Sequence, residues 1–75
     1  MKKIIHGYLY DTDNATIIYE DKPKRRTYYM TENRHYFVVY RTKEFGVKTE
    51  EDIKELLGNN DVDKYIELFG DVEEA

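Results

Sequence analysis

The tyrosines of this chain are crowded into one end of it. Seven of the eight precede residue 41, in a region rich in β-branched and basic side chains, which commits that half to sheet. The remainder carries helix-capping residues and an excess of acid. Residues 1–45 hold nine Lys/Arg against six Asp/Glu, a net +3, whereas residues 46–75 hold three against ten, a net −7. A tyrosine-rich platform joined to an acidic helical cap is the architecture such a split predicts.

The chain has 75 residues and no cysteine. A domain of this size buries roughly 60% of the surface its unfolded chain exposes. Neither disulfides nor thiolate-bound zinc can supplement so small a core. Some tyrosines must therefore serve as core, and oligomerisation, a homodimer in the simplest case, is a further source of stability. Serine and cysteine are both missing, which removes the two commonest nucleophiles and counts against hydrolase and transferase readings. The opening MKKII resembles a signal peptide for five residues only, before His6, Gly7 and the polar 11–14 stretch interrupt it. No run approaches the ~20 apolar residues needed to cross a bilayer. A cytoplasmic protein with no membrane partner is expected.

Alternation predicts a strand over 3–10 and, after an Asp11–Asn14 turn, a second over 15–20 that pairs with the first as a hairpin. Residues 21–25 form a basic loop around Pro23. A third strand spans 26–31, with Tyr28 and Met30 opposite to Tyr29. The following turn uses Glu32, Asn33 and Arg34, with Asn33 as its left-handed residue. A fourth strand, 35–42, is apolar on both faces and reads as central. Beyond Gly46, Thr49 caps a helix whose first turn holds Glu50, Glu51 and Asp52, with Asp52 at the capping-box position. Ile53, Leu56 and Leu57 form its apolar stripe and Gly58 ends it. Asn60 or Asp61 caps a second helix over 62–69, with Val62, Tyr65, Ile66 and Phe69 on one face, and Gly70 stops it. The expected fold is α+β: a single domain over 1–75, with an antiparallel four-stranded sheet (strands about 3–42), two short helices (about 50–69) in the order ββββαα, and an acidic tail at 70–75.

Chemistry-bearing constellations are few. His6 and His35 lack metal-ligand spacing, and Asp11 and Asp13 read as turn caps rather than as a calcium loop. No catalytic residue, metal site or cofactor is assigned. The contact candidates are Arg25 and Arg26 with Tyr28, Tyr29, Tyr36 and Tyr40. Tyrosine and arginine on a sheet suit either a protein interface or the stacking of unpaired bases. Glu50, Glu51 and Glu55 would present a second, acidic surface to a basic cleft, mimicking phosphates.

Four segments carry a resemblance: IHGYLYDTDNA at 5–15, the 29–40 hairpin with Tyr29, Thr31, Tyr36 and Phe37, TEEDIKEL at 49–56, and LFGDVEEA within 65–75. Together they resemble a set of small uncharacterised proteins carried by plasmids, conjugative elements and phages of Gram-positive bacteria. Arg34 stands where that set's hairpin has glycine, and the loop between Tyr40 and Thr49 is short. The resemblance implies an anti-defence role, including anti-CRISPR activity. The expectation is thus a non-enzymatic protein-binding inhibitor from a mobile element, blocking a CRISPR-associated nuclease or another host defence enzyme. The alternative is a single-stranded nucleic-acid-binding module that uses the basic-aromatic sheet face.

Overall fold

Tight turns set this topology, and four of them hold a basic or imidazole side chain in the left-handed backbone region: His6 (φ 51°), Arg25 (φ 53°), Arg34 (φ 61°) and Lys43 (φ 70°). The computed structural model describes residues 1–70 and 72–75. Asp71, expected in the acidic tail, lies outside the described residues.

The first expected strand is two. Strand β1 (Lys2–Ile5) and β2 (Tyr8–Asp11) pair antiparallel with Ile5 opposite Tyr8. His6 and Gly7 (φ 81°) form the turn between them. Two successive positive φ values match the type I′ geometry that closes a two-residue hairpin. The strand expected over 3–10 therefore folds back on itself and does not pair with 15–20. Asp11 ends β2 and caps a single 3₁₀ turn, Thr12–Asn14, accepting from the Asp13 amide at 3.0 Å and the Asn14 side-chain amide at 2.9 Å.

A four-stranded antiparallel meander follows: β3 (Thr16–Asp21), β4 (Arg26–Met30), β5 (Tyr36–Val39) and β6 (Phe45–Lys48), in spatial order β3-β4-β5-β6. The α+β class and its four-stranded sheet agree with the expectation, although the strands are not the expected four. The strand expected over 35–42 stops at Val39, and β6 occupies part of the stretch read as a short loop between Tyr40 and Thr49. The turns at 32–34 and 41–43 share one construction. In the first, Thr31 N–H donates to the His35 carbonyl at 2.9 Å and Arg34 N–H to that of Thr31 at 3.0 Å. In the second, Tyr40 N–H donates to Glu44 at 2.9 Å and Lys43 N–H to Tyr40 at 2.8 Å. Each is a type I turn closed by a left-handed residue. Arg34, not Asn33, is that residue in the first.

Helix α1 (Glu50–Asn60) begins with the expected capping box. The Asp52 amide donates to Thr49 Oγ1 at 3.1 Å, and the Thr49 amide donates to the Asp52 carboxylate at 3.0 Å. Gly58 does not end it. The Asp61 amide reaches the Leu57 carbonyl at 2.8 Å, while Asn59 and Asn60 side chains donate to the Glu55 and Leu56 carbonyls. Asp61 then caps α2 (Val62–Phe69), and Gly70 (φ 89°) closes it.

The helices cover one face of the meander. Ile18, Tyr28, Tyr36 and Val38 from the sheet meet Ile53 and Leu57 from α1, with Tyr65, Leu68 and Phe69 of α2 packed alongside. Val62 and Ile66, expected in the inward stripe of α2, are exposed, and Leu68 takes the inward position. Strand β5 is central as expected: Phe37 and Val38 point to opposite faces and both are fully buried.

Candidate functional site

A bulge between Ile17 and Tyr19 on β3 decides what the sheet shows on its other face. Ile18 joins the core, while Ile17 turns outward opposite Tyr29. Tyr29 lies opposite Phe37, and Phe37 opposite Val47. Ile17, Tyr29, Phe37 and Val47 therefore form one row across all four strands, on the face away from the helices. Its two ends, Ile17 and Val47, are each 47% exposed.

Aromatic stacking organises the centre of this face. The Tyr29 ring stacks on Phe37 at 5.0 Å and 10°, and Phe45 stacks on Phe37 from the other side at 5.4 Å and 3°. Tyr10 of β2 meets Phe37 edge-on at 5.3 Å, and Tyr8 packs on His35 at 4.6 Å. These geometries are the ones aromatic quadrupoles favour. The small β1–β2 hairpin thus sits against the outer face and shields Phe37, leaving Tyr8 and Leu9 half-exposed beside it. A cleft of ≈ 260 Å³ is lined by Tyr10 of the hairpin and Val47 of β6, together with His35, Arg34, Lys48 and Glu50.

Carboxylates set the local charge around Tyr29. Burial raises its phenol above the ordinary value, and the negative charges of Glu20 and Asp13 push in the same direction. A phosphate brought to this ring would meet the same repulsion.

The expected contact residues do not form one surface. Tyr28 and Tyr36 are buried against the helices, and the Tyr36 hydroxyl has no hydrogen-bond partner among the described residues. Tyr40 is half-buried on that same side, with the Arg26 guanidinium 5.3 Å from its ring centroid. Tyr40 also fills the space above Gly46, where an added Cβ would come within 2.9 Å of its hydroxyl. Arg25 is exposed in the β3–β4 turn, and of the named tyrosines only Tyr29 belongs to the outer row. Glu50, Glu51 and Glu55 are all exposed on α1.

Cations gather instead at one end of the meander. Consecutive antiparallel turns alternate ends, so the β3–β4 turn (Lys22, Lys24, Arg25) and the β5–β6 turn (Arg41, Lys43) emerge together. The sequence reading missed Ile17, Phe45 and Val47; the bulge that turns Ile17 outward has no local signal, and the alternation that would reveal Phe45 and Val47 is only four residues long.

Among the described residues no group of three or more His, Cys, Asp or Glu side chains lies close enough to hold a metal ion. Among the described residues no helix is long and apolar enough to cross a membrane. No family model, curated protein or solved structure matches the chain.

Proposed function

We propose that the chain is a non-enzymatic protein-binding module whose contact surface is the outer sheet face. The observation that carries this reading is the cross-strand row. Ile17 and Val47 stand exposed at either end of a rigid aromatic stack. Rigid, pre-packed aromatic and aliphatic area of this kind is what interface centres are made of, because little side-chain entropy is lost when a partner covers it.

Single-stranded nucleic acid is the competing reading, favoured by the cations clustered at one end of the sheet. It needs open rings beside those cations. Tyr28 and Tyr36 are buried, Tyr40 lies beneath Arg26, and the ring of Tyr29 sits among carboxylates. The narrower reading, an inhibitor from a mobile element acting on a CRISPR-associated nuclease or another defence enzyme, draws on the sequence resemblance. The exposed Glu50, Glu51 and Glu55 of α1 supply an acidic surface to match a phosphate-binding cleft.

Photo-cross-linking from position 17 in a Gram-positive host tests the proposal. A discrete protein adduct is expected, and its capture should be lost in Ile17→Asp but not in Lys24→Ala. Salt-sensitive binding of single-stranded oligonucleotides, abolished by Tyr29→Ala, would overturn it in favour of the alternative.

A further inference from the structure

The two edges of the meander are built differently. Strand β3 is bulged between Ile17 and Tyr19, a device that twists an edge and disrupts further pairing. Strand β6 pairs with β5 in unbroken register and contains neither bulge nor proline. Its outer side is an intact template for another strand.

The ladder fixes which residues serve that template. Tyr40 N–H donates to the Glu44 carbonyl, so Tyr40 and Glu44 are a hydrogen-bonded pair. Pairs alternate along an antiparallel ladder. Gly46 and Lys48 therefore point their backbone groups at β5, while Phe45 and Val47 point theirs outward.

We infer that β6 is the interface of a symmetric dimer, paired antiparallel with β6 of a second copy about a two-fold axis at Gly46. This register sets Phe45 against Val47 of the second copy, and Val47 against its Phe45. Both are hydrogen-bonded pairs, which exchange four N–H···O bonds in all. Their side chains share the outer face, so each aromatic ring meets a β-branched partner, a favourable cross-strand combination. Gly46 meets its own copy at the narrow, non-hydrogen-bonded position where chains approach to about 4.5 Å, and it brings no side chain to obstruct them.

Charge selects the second copy as the occupant. The same register places Lys48 opposite Glu44 of the other chain, and Glu44 opposite its Lys48. Two opposite-charge pairs flank the axis on the helix side of the sheet. A shift of two residues in either direction breaks both pairs. The dimer joins two meanders into one eight-stranded sheet and adds buried area to a core that has little. The inference shares Val47 with the protein-binding reading, but the test residue of that reading, Ile17, lies on the opposite edge, so either can fail alone.

Sedimentation equilibrium of the full chain from about 1 to 500 µM tests it without any partner. The expected species has twice the 9.1 kDa chain mass. Val47→Pro removes only an outward N–H, so it should fold and sediment as a monomer. Glu44→Lys and Lys48→Glu should each weaken dimerisation about tenfold, and the two together should restore it. The charge reversals decide the matter should the proline variant fail to fold. A monomer at every concentration, or a dimer indifferent to the charge reversals, would overturn the inference.

Discussion

Burial and two carboxylates set the surroundings of the Tyr29 hydroxyl. Burial and the nearby Glu20 and Asp13 all disfavour the phenolate, so its folded-state pKa lies above its unfolded value near 10. The folded state thus holds this proton more tightly. Its contribution to stability is fully present below the unfolded pKa and is lost as pH rises through the folded one. In a spectrophotometric titration Tyr29→Phe should delete a component that ionises above the ordinary tyrosine range. Glu20→Gln should move it back toward the ordinary range. An unchanged titration curve in Tyr29→Phe would mean that the ring is not confined as described.

At the scale of elements, the left-handed turn residues divide into two kinds. A non-glycine residue in this region costs roughly 1 kcal/mol. Arg34 offsets that cost, because its guanidinium donates to the Leu68 carbonyl at 3.0 Å. This satisfies one of the orphan acceptors at the C-terminus of α2 and ties the β4–β5 turn to the helix layer. Lys43 occupies the same position in the matching turn, exposed to solvent. Lys43→Gly should therefore raise the urea midpoint, by about 0.5–1 kcal/mol of stability. Arg34→Gly should gain nothing or lose stability, since relief of strain is cancelled by the lost bond. The same chemistry explains how much was legible in the sequence. Helices announce themselves through local partners, and Thr49, Asp52, Asp61 and Gly70 all act as their residue types suggest. Gly58 misleads because Asn59 and Asn60 bond back to α1 and carry the helix past it. The β5–β6 hairpin gives no such notice, as Arg41, Thr42 and Lys43 lack the Asn or Gly that marks a turn. Gly7 does mark one, but the alternation around it reads as a single strand. With β6 hidden, the outer row was hidden too: Tyr29 was named as a contact residue, whereas Ile17 and Val47, which stand at its ends, were not.

For the whole molecule, the question is how two sheets of unequal size hold together. The meander and helices share a core of Ile18, Tyr28, Tyr36, Val38, Ile53 and Leu57. The β1–β2 hairpin contributes nothing to that cluster. It docks through Tyr10, 3% exposed, on Phe37 and His35, and through Tyr8 on His35. An isolated two-stranded hairpin is marginal in water, so its order depends on this aromatic contact. Removing a buried aromatic side chain costs about 3–5 kcal/mol, and in Tyr10→Ala that loss falls on the hairpin. The remaining core is untouched. Hydrogen exchange should then show the amides of residues 2–11 losing protection by several orders of magnitude, while those of β4 and β5 keep most of theirs. Phe37→Ala should behave differently, because its ring is shared by both sheets. There the protection of β4, β5 and the hairpin should fall together. Uniform loss across the chain in Tyr10→Ala would instead make the hairpin an integral part of one cooperative unit, and the outer face would owe its shape to the whole fold.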